Sequence, residues 1–310
     1  MINDKLKVHF IKDYGLPIST YQDPYFSERL DLFEKYYGSK TKWDKLLVEL
    51  GERHPETFLN WIIEETKKII ATIEEGEPFQ DFREKFNAED YEVKTLEISG
   101  RDIYSGELVG RTFLSVDLVE ANFQALRFYD PEIFYNCDTW VDFIKKFTDS
   151  EYMARTKLIR QRILGKLEPK HQIVIEKYIM SGIIDKVKDL LLPFSINNDE
   201  LIFDITEFSK TDELIDRLYG AAGDSLGIRI RVNSFTLRSI QLFTETGRSI
   251  FGFWKEYCDN KVPSFHGIPN SYLPQFIKIF EGKQISDSDL VFTSQFDDLL
   301  ARFIKPLIKR

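Results

Sequence analysis

Three short segments of the chain carry residue types that could do chemistry together. Ser115-Val116-Asp117-Leu118-Val119-Glu120-Ala121-Asn122 and Ser195-Ile196-Asn197-Asn198-Asp199-Glu200-Leu201-Ile202-Phe203 read as apolar strands, each delivering an acid. Between them, Lys157-Leu158-Ile159-Arg160-Gln161-Arg162-Ile163-Leu164-Gly165 reads as a helix bearing a row of cations. A carboxylate at one strand end facing a second at a hairpin tip would repel it unless a divalent cation lies between them. Mg²⁺ is typically held in this way, by a couple of carboxylates plus substrate phosphate oxygens. A cationic helix alongside would complete a site for metal and polyphosphate. That is the minimal equipment for nucleotidyl transfer.

Each group also has a plainer use. Asp117 interrupts Phe113-Leu114-Ser115-Val116, an apolar run in which an unpaired acid is costly to bury, so it could simply face outward or cap the following helix. Asp199-Glu200 follows Asn197-Asn198 at a hairpin tip, where Asn and Asp are favoured for turn geometry alone. Lys157, Arg160 and Lys170 are candidates for a triphosphate, although helical Lys and Arg more often form a solvated face. Few acids stand at the spacings that would neutralise Lys157, Arg160, Arg162 and Lys166. Gly165 costs helix stability, which invites a reason such as close approach of a base pair or of backbone.

The elements that must position these groups follow from periodicity. The first ninety or so residues read as helical. Trp43, Leu46, Leu47 and Leu50 share one helix face, with Thr41 and Asp44 as a capping pair. Pro55 opens the next helix, Phe58, Ile62, Ile69 and Ile73 line it, and Gly76 closes it. Tyr91–Ser99 and Arg111–Leu118 then read as a hairpin turning at Ser105-Gly106. Helices are expected over 122–126, 139–147 and 152–192, with a break near Pro169 in the last. A strand or hairpin over 194–205, a helix over 211–222 stopped by Gly223-Asp224, and strands over 228–234 and 249–257 complete the series. This order predicts an α+β fold, an antiparallel sheet with helices on one face.

Bulk properties narrow the class. The chain has 310 residues, 43% hydrophobic and 30% charged, and can bury a full core in two or more lobes. Its two cysteines, Cys137 and Cys258, form no disulfide framework, and no CxxC pair offers a zinc site. No signal-peptide stretch and no membrane-length apolar run occurs, so a soluble protein of the reducing cytoplasm is expected. The net charge of −9 argues against indiscriminate nucleic-acid binding. Yet Glu151–Leu190 holds nine Lys or Arg against five acids, a local excess that suggests a confined phosphate site.

The three segments resemble motifs A, B and C of family B DNA polymerases. The first motif of that family is an Asp ending a strand before a helix, to which Asp117 through Gln124 is similar. Its second is Lys, three residues, Asn-Ser, one residue, Tyr-Gly. Here Lys157, Gln161-Arg162 and Leu164-Gly165 keep that spacing. Its third, Asp-Thr-Asp-Ser before an apolar strand, is echoed by Asn197-Asn198-Asp199-Glu200-Leu201-Ile202-Phe203. The resemblance covers residues 91 to 257 in pattern, without close identity. Asn122 stands where the family has a sugar-screening Tyr, Asn197 replaces the first Asp of the third motif, and Gln161 and Leu164 replace Asn and Tyr.

The resemblance implies a palm-like lobe with a fingers-like helical segment over 91–257, a helical lobe over 1–90, and a short thumb-like appendage over 258–310. It implies a two-metal reaction with Mg²⁺ or Mn²⁺ on Asp117 and Asp199, supported by Glu200. Nucleotide would meet Lys157, Arg160, Gln161 and Asn122, and nucleic acid would meet Lys170 and Lys255. Expected partners are nucleoside triphosphates, a primer or primer-template and a processivity protein, with no membrane. A further likeness to small proteins of large DNA viruses and phages would place it in a host cytoplasm. Three other classes stay open, a metal-dependent nuclease, a catalytically silent polymerase-like binding protein, and a structural protein whose acids lie on opposite sheet faces.

Overall fold

A computed structural model of the chain describes residues 3–93, 102–243, 249–259, 261–294 and 299–302. It is mixed α+β, and each strand pairing with a described register is antiparallel. Two compact units form. One comprises residues 1–60 with 237–310, and the other residues 61–236.

The first unit begins with α1 (Asp4–Asp13), α2 (Tyr25–Tyr37) and α3 (Ser39–Leu50). Asn3 caps α1 by accepting from the Leu6 amide at 3.0 Å. α3 starts three residues earlier than the Thr41–Asp44 pair predicts, with Gly38 and not Thr41 at the N-cap. Its first amides, from Lys40 and Thr41, donate instead to the Glu34 carboxylate of the preceding helix, and Thr41 lies within the first turn. Trp43, Leu46 and Leu50 are buried as the spacing requires, and the rings of Phe10 and Phe26 meet Trp43 edge-on at 4.9 and 5.0 Å.

α4 (Pro55–Glu75) opens on its proline and lies in both units, followed by α5 (Glu77–Glu84) in the second. The second unit continues with β1 (Thr112–Leu118), α6 (Ala121–Tyr129), α7 (Trp140–Ile144), α8 (Glu151–Arg155), α9 (Lys157–Leu164) and α10 (Pro169–Val187). Then come β2 (Ser195–Ile196), β3 (Glu200–Asp204), α11 (Thr211–Gly220) and β4 (Ile230–Phe243), which crosses the unit boundary. In the second unit the strands order β2-β3-β1-β4. This is a split β-α-β-β-α-β arrangement with extra helices in its first connection.

The hairpin expected between 91–99 and 111–118 is corrected. Residues 94–101 lie outside the described residues, but β1 has both edges occupied, by β3 and β4. The helical stretch over 152–192 is three helices. Pro169 opens α10 as expected, and a second break falls at Thr156, whose extended backbone and hydroxyl bond back to the Tyr152 carbonyl interrupt the helix. α11 ends in a π-turn over Ala221–Ser225 rather than stopping at once. Phe113, Leu114 and Val116 of β1 and Leu201 and Phe203 of β3 are buried, as are Phe123 of α6 and Ile175, Ile179 and Ile183 of α10. α10 packs on both α6 and α11.

The first unit resumes with the end of β4, then β5 (Ser249–Tyr257), β6 (Ser264–His266), α12 (Leu273–Phe280), β7 (Val291–Thr293) and β8 (Leu300–Arg302). Gly252 on β5 has no room for a side chain. An added Cβ would stand 2.7 Å from Ile268 Cγ1 and closer still to the buried Phe276 ring. Gly252→Ala is expected to cost about 2 kcal/mol by overpacking, outweighing the gain in strand propensity. Urea unfolding of the two proteins measures it. An unchanged midpoint would mean that the ring gives way.

Candidate functional site

β1 brings its acid into register with the others. Asp117 lies opposite Glu200 on β3 and opposite Arg231 on β4. One residue further, the Leu118 amide donates to the Asp199 carbonyl at 2.9 Å, so the hairpin tip is tied to the end of β1. Asp117 is the single interior break in the burial of β1 and is 39% exposed. Its carboxylate comes within 3.8 Å of the Arg231 guanidinium.

α10 adds a third carboxyl that the pairing of Asp117 with Asp199 does not foreshadow. Glu176 is buried, and its carboxyl is pushed up to about 7, first by burial and second by the negative charge of Asp199. Asn122, on the first turn of α6, donates its amide to Gln172 Oε1 at 2.8 Å and to Glu176 Oε1 at 3.4 Å. Gln172 is held in turn by donating to the carbonyls of Leu164 and Leu167. Asn122 is thereby fixed against α10.

The cations divide. Arg160 is half-buried and pairs with Glu120 at 3.1 Å, while Arg229, just before β4, pairs with the other Glu120 oxygen at 3.0 Å. Lys157 and Gln161 are exposed on α9 one turn apart, on one face of that helix, and Lys170 is exposed at the start of α10. Gly165 ends α9 where a Cβ would stand 2.6 Å from the Gln161 carbonyl, so the close approach there is of backbone. Lys255 belongs to the other unit and is only 8% exposed. Burial and then its charge hold His266, which lies opposite Phe253 on β6, at a pKa lowered to about 4.

Glu176, Gln172, Arg229 and Arg231 escaped the sequence reading. A signal existed for the first two. Gln172 and Glu176 occupy positions of the apolar stripe that Ile175, Ile179 and Ile183 continue, and polar residues on a buried stripe need partners. For the arginines the alternation Arg229-Ile230-Arg231 at a strand entry was the only sign.

Among the described residues, no group of three or more His, Cys, Asp or Glu side chains is placed to hold a metal ion. The donors at the β1–β3 junction fit the other mode, in which a couple of carboxylates share a cation with substrate oxygens.

The raised Glu176 carboxyl has a stability consequence. Between pH 4.5 and 7 the folded chain holds a proton that the unfolded chain has released, so stability falls as pH rises through that window. Glu176→Gln removes the penalty and still accepts from Asn122. It should stabilise the protein at pH 8 by on the order of 2 kcal/mol and have little effect at pH 4.5. Denaturant unfolding at both pH values tests this. Equal effects at the two would show that the carboxyl is not raised.

No described helix is long and apolar enough to cross a membrane. Comparison with known proteins finds no match among family models, curated proteins or solved structures.

Proposed function

We propose that the chain is a metal-dependent, polymerase-like nucleotidyltransferase that adds nucleotides to a nucleic-acid 3′-hydroxyl, with residues 61–236 as its palm-like unit. The observation that carries this reading is the β1–β3 junction, where Asp117 faces Glu200 and the Leu118 amide holds Asp199. Asp117 and Asp199, with Glu200 in support, would hold Mg²⁺ or Mn²⁺ together with triphosphate oxygens. Bound there, the metal supplies a lowered pKa for the attacking hydroxyl and charge neutralisation at the leaving pyrophosphate.

The side chains around this junction have separable tasks. Arg160 offers a fork suited to phosphate oxygens, and Lys157 offers a point charge one turn away on the same helix. Asn122, fixed by Gln172, presents an amide where the family keeps an aromatic ring, which leaves room for a ribose as well as a deoxyribose. The nucleic acid itself would be met by Lys170, and a processivity partner remains part of the proposal.

A second reading has its own support. Arg231 already stands 3.8 Å from Asp117, as a resident cation would in a catalytically silent, polymerase-like binding protein. One assay separates them. The chain is incubated with Mg²⁺ or Mn²⁺, labelled single-stranded and primed-template oligonucleotides, and dNTPs or NTPs. Lengthened products support nucleotidyl transfer. Shortened products identify a nuclease, and unchanged oligonucleotides favour the silent protein.

A further inference from the structure

The turn between β1 and α6 holds a cluster that neither strand acids nor metal chemistry explains. Glu120 has φ 59, the left-handed region, which costs a residue with a side chain about 1 kcal/mol or more. Its carboxylate spans two guanidinium groups, with Oε1 3.1 Å from Arg160 Nη1 and Oε2 3.0 Å from Arg229 Nη2. The Trp140 amide also donates to Oε2, at 3.3 Å.

Arg229 does not reach this place by a flexible approach. The buried Gln124 side chain donates to the Arg229 carbonyl and accepts from the Arg229 amide, both at 2.6 Å. The Val119 amide donates to the same carbonyl at 3.1 Å. These bonds use only the backbone of Arg229, so its guanidinium is presented from a fixed base. Arg160 is presented from α9, where burial lowers its pKa and the Glu120 charge opposes that shift.

Two guanidinium forks converging on one carboxylate leave a surplus of positive charge. Their geometry suits phosphate as well as carboxylate, because both ligands offer paired oxygens to paired N–H donors. A phosphate carries more charge and more acceptor oxygens than Glu120, so it would compete for both arginines.

We propose that Arg160 and Arg229 form a phosphate-binding site that Glu120 occupies in the free protein and vacates when a di- or triphosphate binds. Naming the ligand as the polyphosphate of a nucleotide rests on the nucleotidyltransferase reading, whereas the competition between carboxylate and phosphate does not. Glu120 is then a competitor built into the chain, and Gln124 a positioning residue for Arg229.

The test is calorimetric titration of the full chain with inorganic pyrophosphate, without divalent metal or nucleic acid. Glu120→Gln keeps an acceptor for the Trp140 amide but removes the competing charge, and should tighten binding by about tenfold. Arg229→Met leaves the Gln124 clamp intact, because that clamp is backbone-made, and should weaken binding by about tenfold or more. Melting temperatures establish that both variants fold. Affinities unchanged in both variants would overturn the proposal. So would weaker binding by Glu120→Gln with a retained melting temperature, which would make Glu120 an organiser of the arginines and not their competitor. Pyrophosphate binding in the predicted order without primer extension would retain this site and discard the nucleotidyl-transfer reading.

Discussion

Asp117→Asn is expected to reduce metal-dependent primer extension by at least about 10²–10³-fold while the melting temperature stays close to that of the parent protein. The substitution preserves shape and removes the charge that a cation at the β1–β3 junction would require. It leaves the backbone ladder untouched, since Asp117 pairs with Glu200 and Arg231 through main-chain register. The side-chain pair that it breaks, with Arg231 at 3.8 Å, is well exposed on both sides and contributes about 1 kcal/mol or less. An internal control lies on the same strands. Asp204, at the other end of β3, pairs with Arg111 at 2.7 Å, and Asp204→Asn should leave extension unchanged. Equal loss in both variants, or extension retained by Asp117→Asn, would remove Asp117 from the metal site.

The second large effect concerns stability alone. Arg29 of α2 is 1% exposed, and its guanidinium lies 3.5 Å from Asp289, itself 2% exposed, and donates to the Ser288 carbonyl. Asp289 also accepts from the Ser286 amide and hydroxyl, and Lys278 stands 3.9 Å away. Taking both ions out of water costs several kcal/mol each, and their mutual attraction largely offsets that cost. Arg29→Ala therefore strands a buried carboxylate and should destabilise the protein by about 3–5 kcal/mol. Arg29→Met with Asp289→Asn removes both charges and keeps an acceptor for Ser286, so most of the loss should return. Urea midpoints for the single and double variants decide it. If the double variant is no better than Arg29→Met alone, the cost is not one of an uncompensated charge.

Much of the fold was legible because periodicity reports burial directly. β5 spans Ser249–Tyr257 as its sequence pattern predicts, and α11 begins at Thr211 as expected. The apolar run before Asp117 and the turn residues before Glu200 mark two strand ends, but nothing local says that those ends adjoin. That adjacency comes from the register of β1 against β3. The supposed hairpin partner of β1 was misread for the same reason, since a strand pattern does not name its neighbours and both edges of β1 go to distant segments. Glu176 counted in the sequence as one acid offsetting a basic stripe, whereas in space it faces inward beside Asn122. Arg160 read as an open phosphate ligand, and only the folded chain reveals that Glu120 already holds it.

The acids of the junction sit where the β1–β3 ladder stops. Asp117 and Glu200 form its last pair, and a single bond from Leu118 to Asp199 follows. Hydrogen bonds at a ladder end open without the buried pairs from Phe113 to Val116 having to separate. The Leu118 amide should therefore exchange with solvent deuterium faster than the Leu114 amide, by local opening instead of global unfolding. A cation shared by carboxylates on both strands would bridge that end and slow exchange there alone, so the junction carries its own readout of occupancy, independent of turnover.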